Sequence, residues 1–297
     1  MINFENISKF KLDDISIHIQ KGQVTGLIGA TGAGKTTLVK LASGLLLPDV
    51  GRVSVMEKNP VQYRSRYGTK LGVLITGIPI LEDNDSALTG LGILQSMYDI
   101  PKGEFGERYE ELATRLGFKA YENEKIKELS VGQRRRVELA ATFIINPELV
   151  ILDEPEVGLD EECKQILEEI VKERAASGVT FLITSHNLTE ISNMCDRLLI
   201  LSEGKLIFYG SEASLRSQYL PINTMAITYE GAIPNIDDLP IVRYKMDGNR
   251  ISYDYNSKYI AASELLEVLM KQTKIIDIKI KKPDLEQIII DLNGRIR

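Results

Sequence analysis

The chain has 297 residues, and its 36 Lys and Arg against 42 Asp and Glu give a formal net charge of −6. A broad basic surface that neutralises phosphates is therefore not expected, and we predict no nucleic-acid partner. A hydrophobic fraction of 43% is typical of a globular protein and too high for disorder. Only two cysteines occur, and no apolar run reaches the roughly 18 residues of a membrane span, which together favour a soluble intracellular protein.

The first part of the chain alternates strand patterns with a glycine-rich loop and a helix. Isoleucines alternate with polar residues after position 14, which is typical of a half-buried strand, whereas the apolar run at 24–28 is typical of a fully buried one. The predicted elements are strands at 15–20, 24–28, 51–56 and 71–75, a helix at 35–45 and a mostly helical stretch at 85–145.

The second part predicts a parallel sheet and then a change of character. Strand patterns at 149–152 and 179–184 flank a charged helix at 161–176, which is the βαβ order of a sheet covered on both faces. After a hairpin turn at 203–204, the residues from 211 to 297 form a separate α+β domain in our prediction. Its predicted elements are strands at 225–229, 241–246, 251–255 and 275–280 and a helix at 263–271.

A phosphate-binding loop is predicted at residues 29–36, which read Gly-Ala-Thr-Gly-Ala-Gly-Lys-Thr and fit G-x-x-x-x-G-K-[ST]. The loop lies between a predicted strand and a predicted helix, a context that disfavours an ordinary glycine turn. Backbone N–H groups of such a loop and of the helix N-terminus hold phosphate oxygens. Lys35 is expected to reach the β- and γ-phosphates, and the Thr36 hydroxyl to bind Mg²⁺. The predicted phosphate-binding residues are Gly29, Ala30, Thr31, Gly32, Ala33, Gly34, Lys35, Thr36 and Thr37.

Two carboxylates follow the apolar strand at 149–152. A strand that ends in Asp153 delivers its carboxylate to the edge of the sheet where ligands bind, and there it can complete the Mg²⁺ shell. Glu154 is expected to polarise an attacking water as a general base. A pair of acids that merely begins a loop is the alternative, and the phosphate-binding loop makes it the weaker interpretation.

Residues 129–133, Leu-Ser-Val-Gly-Gln, followed by Arg-Arg-Arg-Val-Glu-Leu-Ala, resemble the signature motif of ABC-type ATPases. Ser130 is a good helix N-cap, and the N–H groups of the helix it opens can hold an anion. A plain capped helix with solvated arginines is the alternative. The resemblance implies that Ser130, Gly132 and Gln133 contact the γ-phosphate of ATP held by the phosphate-binding loop of a second subunit.

Further motifs follow the order of that family. Residues 157–160 resemble the D-loop, which implies a place for Asp160 at a dimer interface, and His186 resembles the switch histidine that contacts the γ-phosphate. The resemblance therefore implies catalytic roles for Lys35, Glu154 and His186. An aromatic residue before the phosphate-binding loop usually stacks on adenine in this family. Phe10 is our candidate, Phe4 is the rival, and core packing is the alternative for both.

The chain departs from the family pattern at three positions. Thr76 stands where a glutamine usually contacts Mg²⁺ and the attacking water, so we expect a water-mediated contact of Thr76 with the metal. Slower hydrolysis, or hydrolysis less tightly gated by a partner, is the resulting hypothesis. Val131 in the signature and Glu156 after Asp-Glu-Pro replace the usual glycine and threonine, and neither change removes a catalytic atom.

The resemblance implies an α/β P-loop NTPase fold over residues 1–210, with an antiparallel β subdomain and a helical subdomain at about 77–145. ATP and Mg²⁺ are the implied cofactors. A head-to-tail dimer and an integral-membrane permease are the implied partners, which would hold the chain at the cytoplasmic face of the membrane. Residues 278–289 resemble the end of drug- and antibiotic-exporter ATPases and favour export. A nucleotide-gated binding module without transport and an importer subunit are the alternatives.

Overall fold

The computed structural model describes residues 1–62, 70–219, 222–236 and 239–281. The chain forms two compact units, Met1–Tyr209 and Gly210–Arg297, and the division falls next to the predicted domain boundary. Among the helices within the described ranges, none is long and apolar enough to cross a bilayer. Most of the 278–289 segment, whose resemblance favours export, lies beyond residue 281 and outside the described residues.

The elements of the first unit alternate strands and helices along most of its length. The strands are β1 (Ile2–Lys9), β2 (Leu12–Ile19), β3 (Val24–Ile28), β4 (Val50–Val55), β5 (Leu71–Leu74), β6 (Leu149–Asp153), β7 (Thr180–Ser185), β8 (Arg197–Ser202) and β9 (Lys205–Gly210). The helices are α1 (Lys35–Ala42), α2 (Ala87–Met97), α3 (Lys102–Arg115), α4 (Val131–Ile144), α5 (Glu161–Ala176) and α6 (Leu188–Ser192).

A six-stranded sheet in the order β5-β6-β7-β3-β8-β9 forms the centre of this unit. The pairs from β5 to β8 are parallel, and every residue of β3, β6 and β7 is buried, as expected for strands covered on both faces. The carboxyl ends of β3, β6 and β7 therefore meet at one edge. Glu203 and Gly204 both have positive φ, which suits the two-residue hairpin turn predicted between β8 and β9.

A three-stranded antiparallel sheet, in the order β2-β1-β4, accompanies the central sheet. Its buried isoleucines join the core formed by β3 and α1. Strand β1 is absent from the predicted elements because its alternation of apolar and polar residues is broken. Phe4 faces Ile17 and Ile7 faces Ile15, and the left-handed Asn6 between them adds a residue to the strand. The two-residue period that identifies a strand is lost there.

Helix α1 begins at the predicted residue but ends at Ala42, three residues before the predicted end. The N–H groups of Gly44 and Leu45 bond back to the carbonyls of Leu41 and Lys40, and this closing turn stops the helix. The helical stretch predicted at 85–145 contains α2, α3 and α4. Leu112, Leu116 and Ile126 in this stretch are all buried.

The second unit has helix α7 (Glu212–Tyr219), strands β10 (Ile222–Glu230), β11 (Ile241–Asp247) and β12 (Arg250–Asn256), helix α8 (Ala262–Met270) and strand β13 (Lys274–Lys281). The strands form an antiparallel sheet in the order β11-β12-β10-β13. Met225, Ile227 and Tyr253 from the central strands form a small core with Leu265 and Leu269 of α8. The four strands and the helix predicted for this part are all present.

Burial separates the two aromatic candidates near the N-terminus. Phe4 is 2% exposed in the core, and Phe10 is 75% exposed. We expect Phe4→Ala to lower the free energy of unfolding by about 3–5 kcal/mol, because it leaves a cavity. Phe10→Ala, the matched control, should stay within about 0.5 kcal/mol of wild type. Chemical denaturation of both variants measures the two free energies of unfolding. Equal losses of stability would contradict the placement of Phe4 in the core and Phe10 at the surface.

Candidate functional site

The glycine-rich loop connects the end of β3 to the start of α1. Gly34 is the N-cap of α1 with φ 107°, a left-handed conformation in which a side chain would meet Leu12 Cδ2 at 2.5 Å. Glycine is required there for both reasons. Within the loop, the Ala33 N–H bonds to the Ala30 carbonyl. The loop therefore brings backbone N–H groups and the helix N-terminus to the edge of the sheet, as an anion site requires.

Lys35 lies under this loop and is only 6% exposed. Its ammonium donates to the Gly29 carbonyl at 2.8 Å and lies 3.7 Å from Glu154 Oε1. The loop carbonyl and the carboxylate hold the cation in place at the cleft. A cation so placed can neutralise phosphate charge next to the N-terminus of α1.

Asp153 ends β6 and is 1% exposed, so its carboxylate needs strong partners. Thr36 donates to Asp153 Oδ2 at 3.2 Å, and Thr184 of β7 donates to Oδ1 at 2.7 Å. The Thr76 hydroxyl donates to the Asp153 backbone carbonyl at 2.9 Å. Hydroxyl and carboxylate oxygens are the hard donors that Mg²⁺ prefers, so this donor set fits the predicted metal. Thr184 is not among the predicted site residues, because only the parallel pairing of β6 and β7 brings it opposite Asp153.

Glu154 turns away from the buried end of β6. Its φ of 49° is left-handed, a conformation that a glutamate adopts at a cost, and its N–H donates to the Thr184 hydroxyl at 2.9 Å. This backbone turn leaves Asp153 buried and brings the Glu154 carboxylate to the cleft beside Lys35. The two neighbouring acids therefore have the separate positions that their predicted roles require.

A cleft of about 540 Å³ joins these groups. Phe10 lines it from the turn between β1 and β2, and the Lys9 ammonium lies 5.0 Å from the centre of the Phe10 ring. Lys11 also lines the cleft, and sequence analysis missed it although it follows Phe10 directly. The lining residues are Phe10, Lys11, Thr31, Gly32, Gly34, Lys35, Thr36, Thr37, Thr76, Asp153 and Glu154.

The signature residues lie at the start of α4 and do not line this cleft. Ser130 is the N-cap, and it forms a reciprocal capping box with Gln133, with N–H to side-chain distances of 3.2 and 2.9 Å. Val131 is 72% exposed, so the helix N-terminus is at the surface. The first turn of α4 is therefore well ordered by its own cap and accessible from outside the chain.

The D-loop segment is tied to the signature helix within the same chain. Asp160 caps α5 by accepting from the Cys163 N–H at 2.9 Å, and it accepts from Arg136 of α4 at 2.7 Å. The N–H of Cys163 and the guanidinium of Arg136 hold the pKa of Asp160 below its usual value. A side chain at Gly132 would meet the Gly158 carbonyl at 2.5 Å. Asp160 and Gly132 thus position two segments against each other, and neither lines the cleft.

His186 follows β7 directly and is exposed. It does not line the cleft, but it comes two residues after Thr184, which bonds Asp153. The structure therefore brings together Lys35, Thr36, Thr76, Asp153 and Glu154. It leaves His186 and the signature residues at separate positions on the surface.

A family model described as ABC transporter matches residues 12–157. The chain is 28% identical to the linearmycin resistance ATP-binding protein LnrL of Bacillus subtilis (strain 168), over 99% of both proteins. It is 32% identical to the ABC transporter ATP-binding protein NatA of the same organism, over 68% of this chain and 82% of NatA. The solved structure of the ATP binding subunit of an ABC transporter matches with a TM-score of 0.69 and 25% identity, over 73% of this chain and 92% of that one. The predicted fold class is confirmed.

Substitution of Thr76 tests whether this residue limits the rate of ATP hydrolysis. We expect Thr76→Gln to raise the steady-state rate of phosphate release several-fold, because a longer amide extends into the cleft beyond the reach of the hydroxyl. Thr76→Ser, the matched control, keeps the hydroxyl and should leave the rate near wild type. Unchanged basal and partner-stimulated rates in Thr76→Gln would show that Thr76 does not limit hydrolysis.

Proposed function

The chain belongs to the ABC transporter family and is an ATP-binding ATPase, and from this premise we propose that it drives export through a separate membrane permease. The ATPase activity on which the proposal rests is supported by the meeting of Lys35, Thr36, Asp153 and Glu154 around one cleft. A cation, two oxygen donors for a metal and a second carboxylate are the parts that phosphoryl transfer to water requires. LnrL, to which the chain is similar over nearly its whole length, is named for antibiotic resistance, and export of a toxic compound is one way to resist it.

In the proposed mechanism, the loop N–H groups and Lys35 bind the β- and γ-phosphates of ATP. Thr36 and Asp153 would hold Mg²⁺, and the metal would neutralise part of the phosphate charge. Thr76 orders a water beside the metal site. Glu154 accepts a proton from the attacking water, a role that the position of its carboxylate in the cleft supports, 3.7 Å from the Lys35 ammonium.

Phe10 supplies the adenine-stacking surface in this proposal. Its ring is exposed and lines the cleft, and one aromatic face of this kind contributes about 1–3 kcal/mol to base binding. Lys11 lines the same side and adds a cation within reach of the phosphates. Phe4 is excluded from this role by its burial in the core.

A head-to-tail dimer would complete the site. Ser130, Gly132 and Gln133 lie outside the cleft of their own chain, and the exposed start of α4 offers its N–H groups to a phosphate held by a second copy. His186, exposed at the end of β7, would contact the same γ-phosphate from the first chain. ATP then closes the dimer because its γ-phosphate bridges the two copies, and hydrolysis removes that bridge.

The helical subdomain is the proposed docking surface for the permease. Ile93 and Met97 are exposed and lie four residues apart on one face of α2, and Ile78 is exposed in the turn after β5. Exposed apolar groups of this kind mark a surface for a partner. Docking there would place the chain at the cytoplasmic face of the membrane.

We expect Glu154→Gln to lower the rate of hydrolysis by about 10²–10⁴, because the amide cannot accept the proton from water. ATP binding should persist, and the variant should elute as a dimer in size-exclusion chromatography with Mg-ATP. Glu124→Gln, an exposed control, should hydrolyse ATP at the wild-type rate. A monomeric Glu154→Gln protein in saturating Mg-ATP would contradict the dimer.

Co-purification tests the transport proposal directly. Tagged Glu154→Gln is expressed in its native cell, and membranes are solubilised with detergent in the presence of Mg-ATP. A multi-span membrane protein retained in stoichiometric amount is the expected result, and its own sequence would identify the kind of cargo. Retention of soluble proteins or ribosomes alone would favour the nucleotide-gated binding module.

A further inference from the structure

Glu156 makes a contact that none of the predicted roles uses. It stands where threonine is usual in the family pattern, and its carboxylate accepts a hydrogen bond from the Ser185 hydroxyl at 2.5 Å. Burial raises the pKa of Glu156, against the opposing effects of the Ser185 hydrogen bond and the nearby His186. A carboxylate kept in such a place contributes through its specific bonds, since desolvation alone is unfavourable.

The cavity beside Glu156 does not supply a cation for it. The cavity measures about 230 Å³, and its charged residues are Glu156, Glu161, Lys164, Glu168 and Glu190. Lys164 is engaged by Glu161 at 2.9 Å and by Glu190 at 3.1 Å. Within the described part of the chain, no ammonium or guanidinium forms an ion pair with Glu156. The Ser185 hydroxyl is therefore its main polar partner.

Two neighbouring hydroxyl residues at the end of β7 bond to Asp153 and Glu156, the two acids on either side of the Glu154-Pro155 pair. Thr184 donates to Asp153, and Ser185 donates to Glu156. Successive side chains of a strand point to opposite faces, so the two bonds hold the end of β7 from both sides. His186 is the next residue after these two bonded hydroxyls.

The hydrogen bonds continue beyond His186. Ser185 Oγ accepts from the Asn187 N–H at 3.0 Å, and Asn187 Oδ1 accepts from the Glu190 N–H at 3.1 Å in the first turn of α6. On the other side, the Glu156 carbonyl accepts from the Leu159 N–H in the D-loop at 3.1 Å. Glu156 thus bonds through its side chain to Ser185, next to His186, and through its backbone carbonyl to the D-loop.

We infer that Glu156 is a positioning residue that holds His186 in register with the D-loop through Ser185. The inference rests on the proposed function, because it assigns the position of His186 a part in hydrolysis. Glu156 contacts neither the cleft nor the phosphate-binding loop. Its loss is therefore expected to affect the rate of hydrolysis and to leave ATP affinity unchanged.

The test compares kcat with the Kd for ATP in purified full-length variants. We expect Glu156→Ala to lower kcat about tenfold, the size of effect expected for one hydrogen bond to a charged group. Glu156→Gln keeps an oxygen acceptor for Ser185 and should restore most of the rate. Ser185→Ala should lower kcat as much as Glu156→Ala, and the double variant should lose no more than either single variant. Glu161→Ala, in the same cavity but bonded to Lys164, is the matched control.

The outcomes separate this inference from the proposed function. A wild-type chain that hydrolyses ATP together with a Glu156→Ala variant of unchanged kcat would overturn the positioning role alone. Additive losses in the double variant would also overturn it, because they would show that the two residues act independently. If Glu156→Ala does not fold, the kcat values of Ser185→Ala and Glu156→Gln are compared instead. Loss of rate in Ser185→Ala but not in Glu156→Gln is then the expected result. Absence of ATP hydrolysis in the wild type would instead overturn the proposed function.

Discussion

The buried carboxylate of Asp153 is the constraint on which the site depends. A charge removed from water is unfavourable unless hydrogen bonds replace its hydration, and here hydroxyls from two other elements replace it. Thr36 brings the start of α1, and Thr184 brings the end of β7, to the end of β6. The phosphate-binding loop and the carboxyl ends of two strands are thereby held at one point of the sheet edge.

The residues that line the cleft and the residues of the signature helix lie at different places on the first unit. Lys35 and Thr36 are fixed by the loop and by the sheet, which hardly tolerates displacement at its buried edge. The signature helix and the D-loop lie outside the cleft and are joined to each other by Arg136 and Asp160. The loop that contains Glu154 and Glu156 connects the edge of the sheet to the D-loop.

Much of the fold and site could be predicted because the residues involved are close in sequence. The loop at 29–36 and the acids at 153–154 have local patterns that fix their chemistry, and the strands of the central sheet are short apolar runs. Strand β1 could not be found in the same way, since the left-handed Asn6 breaks its period. The preference for Phe10 over Phe4 could not be tested from sequence, because burial depends on how β1 pairs with its neighbours.

The sequence by itself determined the family, the phosphate-binding loop and the pair of acids, because each is a contiguous pattern whose local geometry follows from its residue types. Only the tertiary structure decided which distant groups meet them. Parallel pairing of β6 with β7 brings Thr184 to Asp153, the turn after β5 brings Thr76 to the same residue, and Ser185 reaches Glu156. These contacts join residues up to about 77 positions apart, as with Thr76 and Asp153, and no local pattern records such pairings.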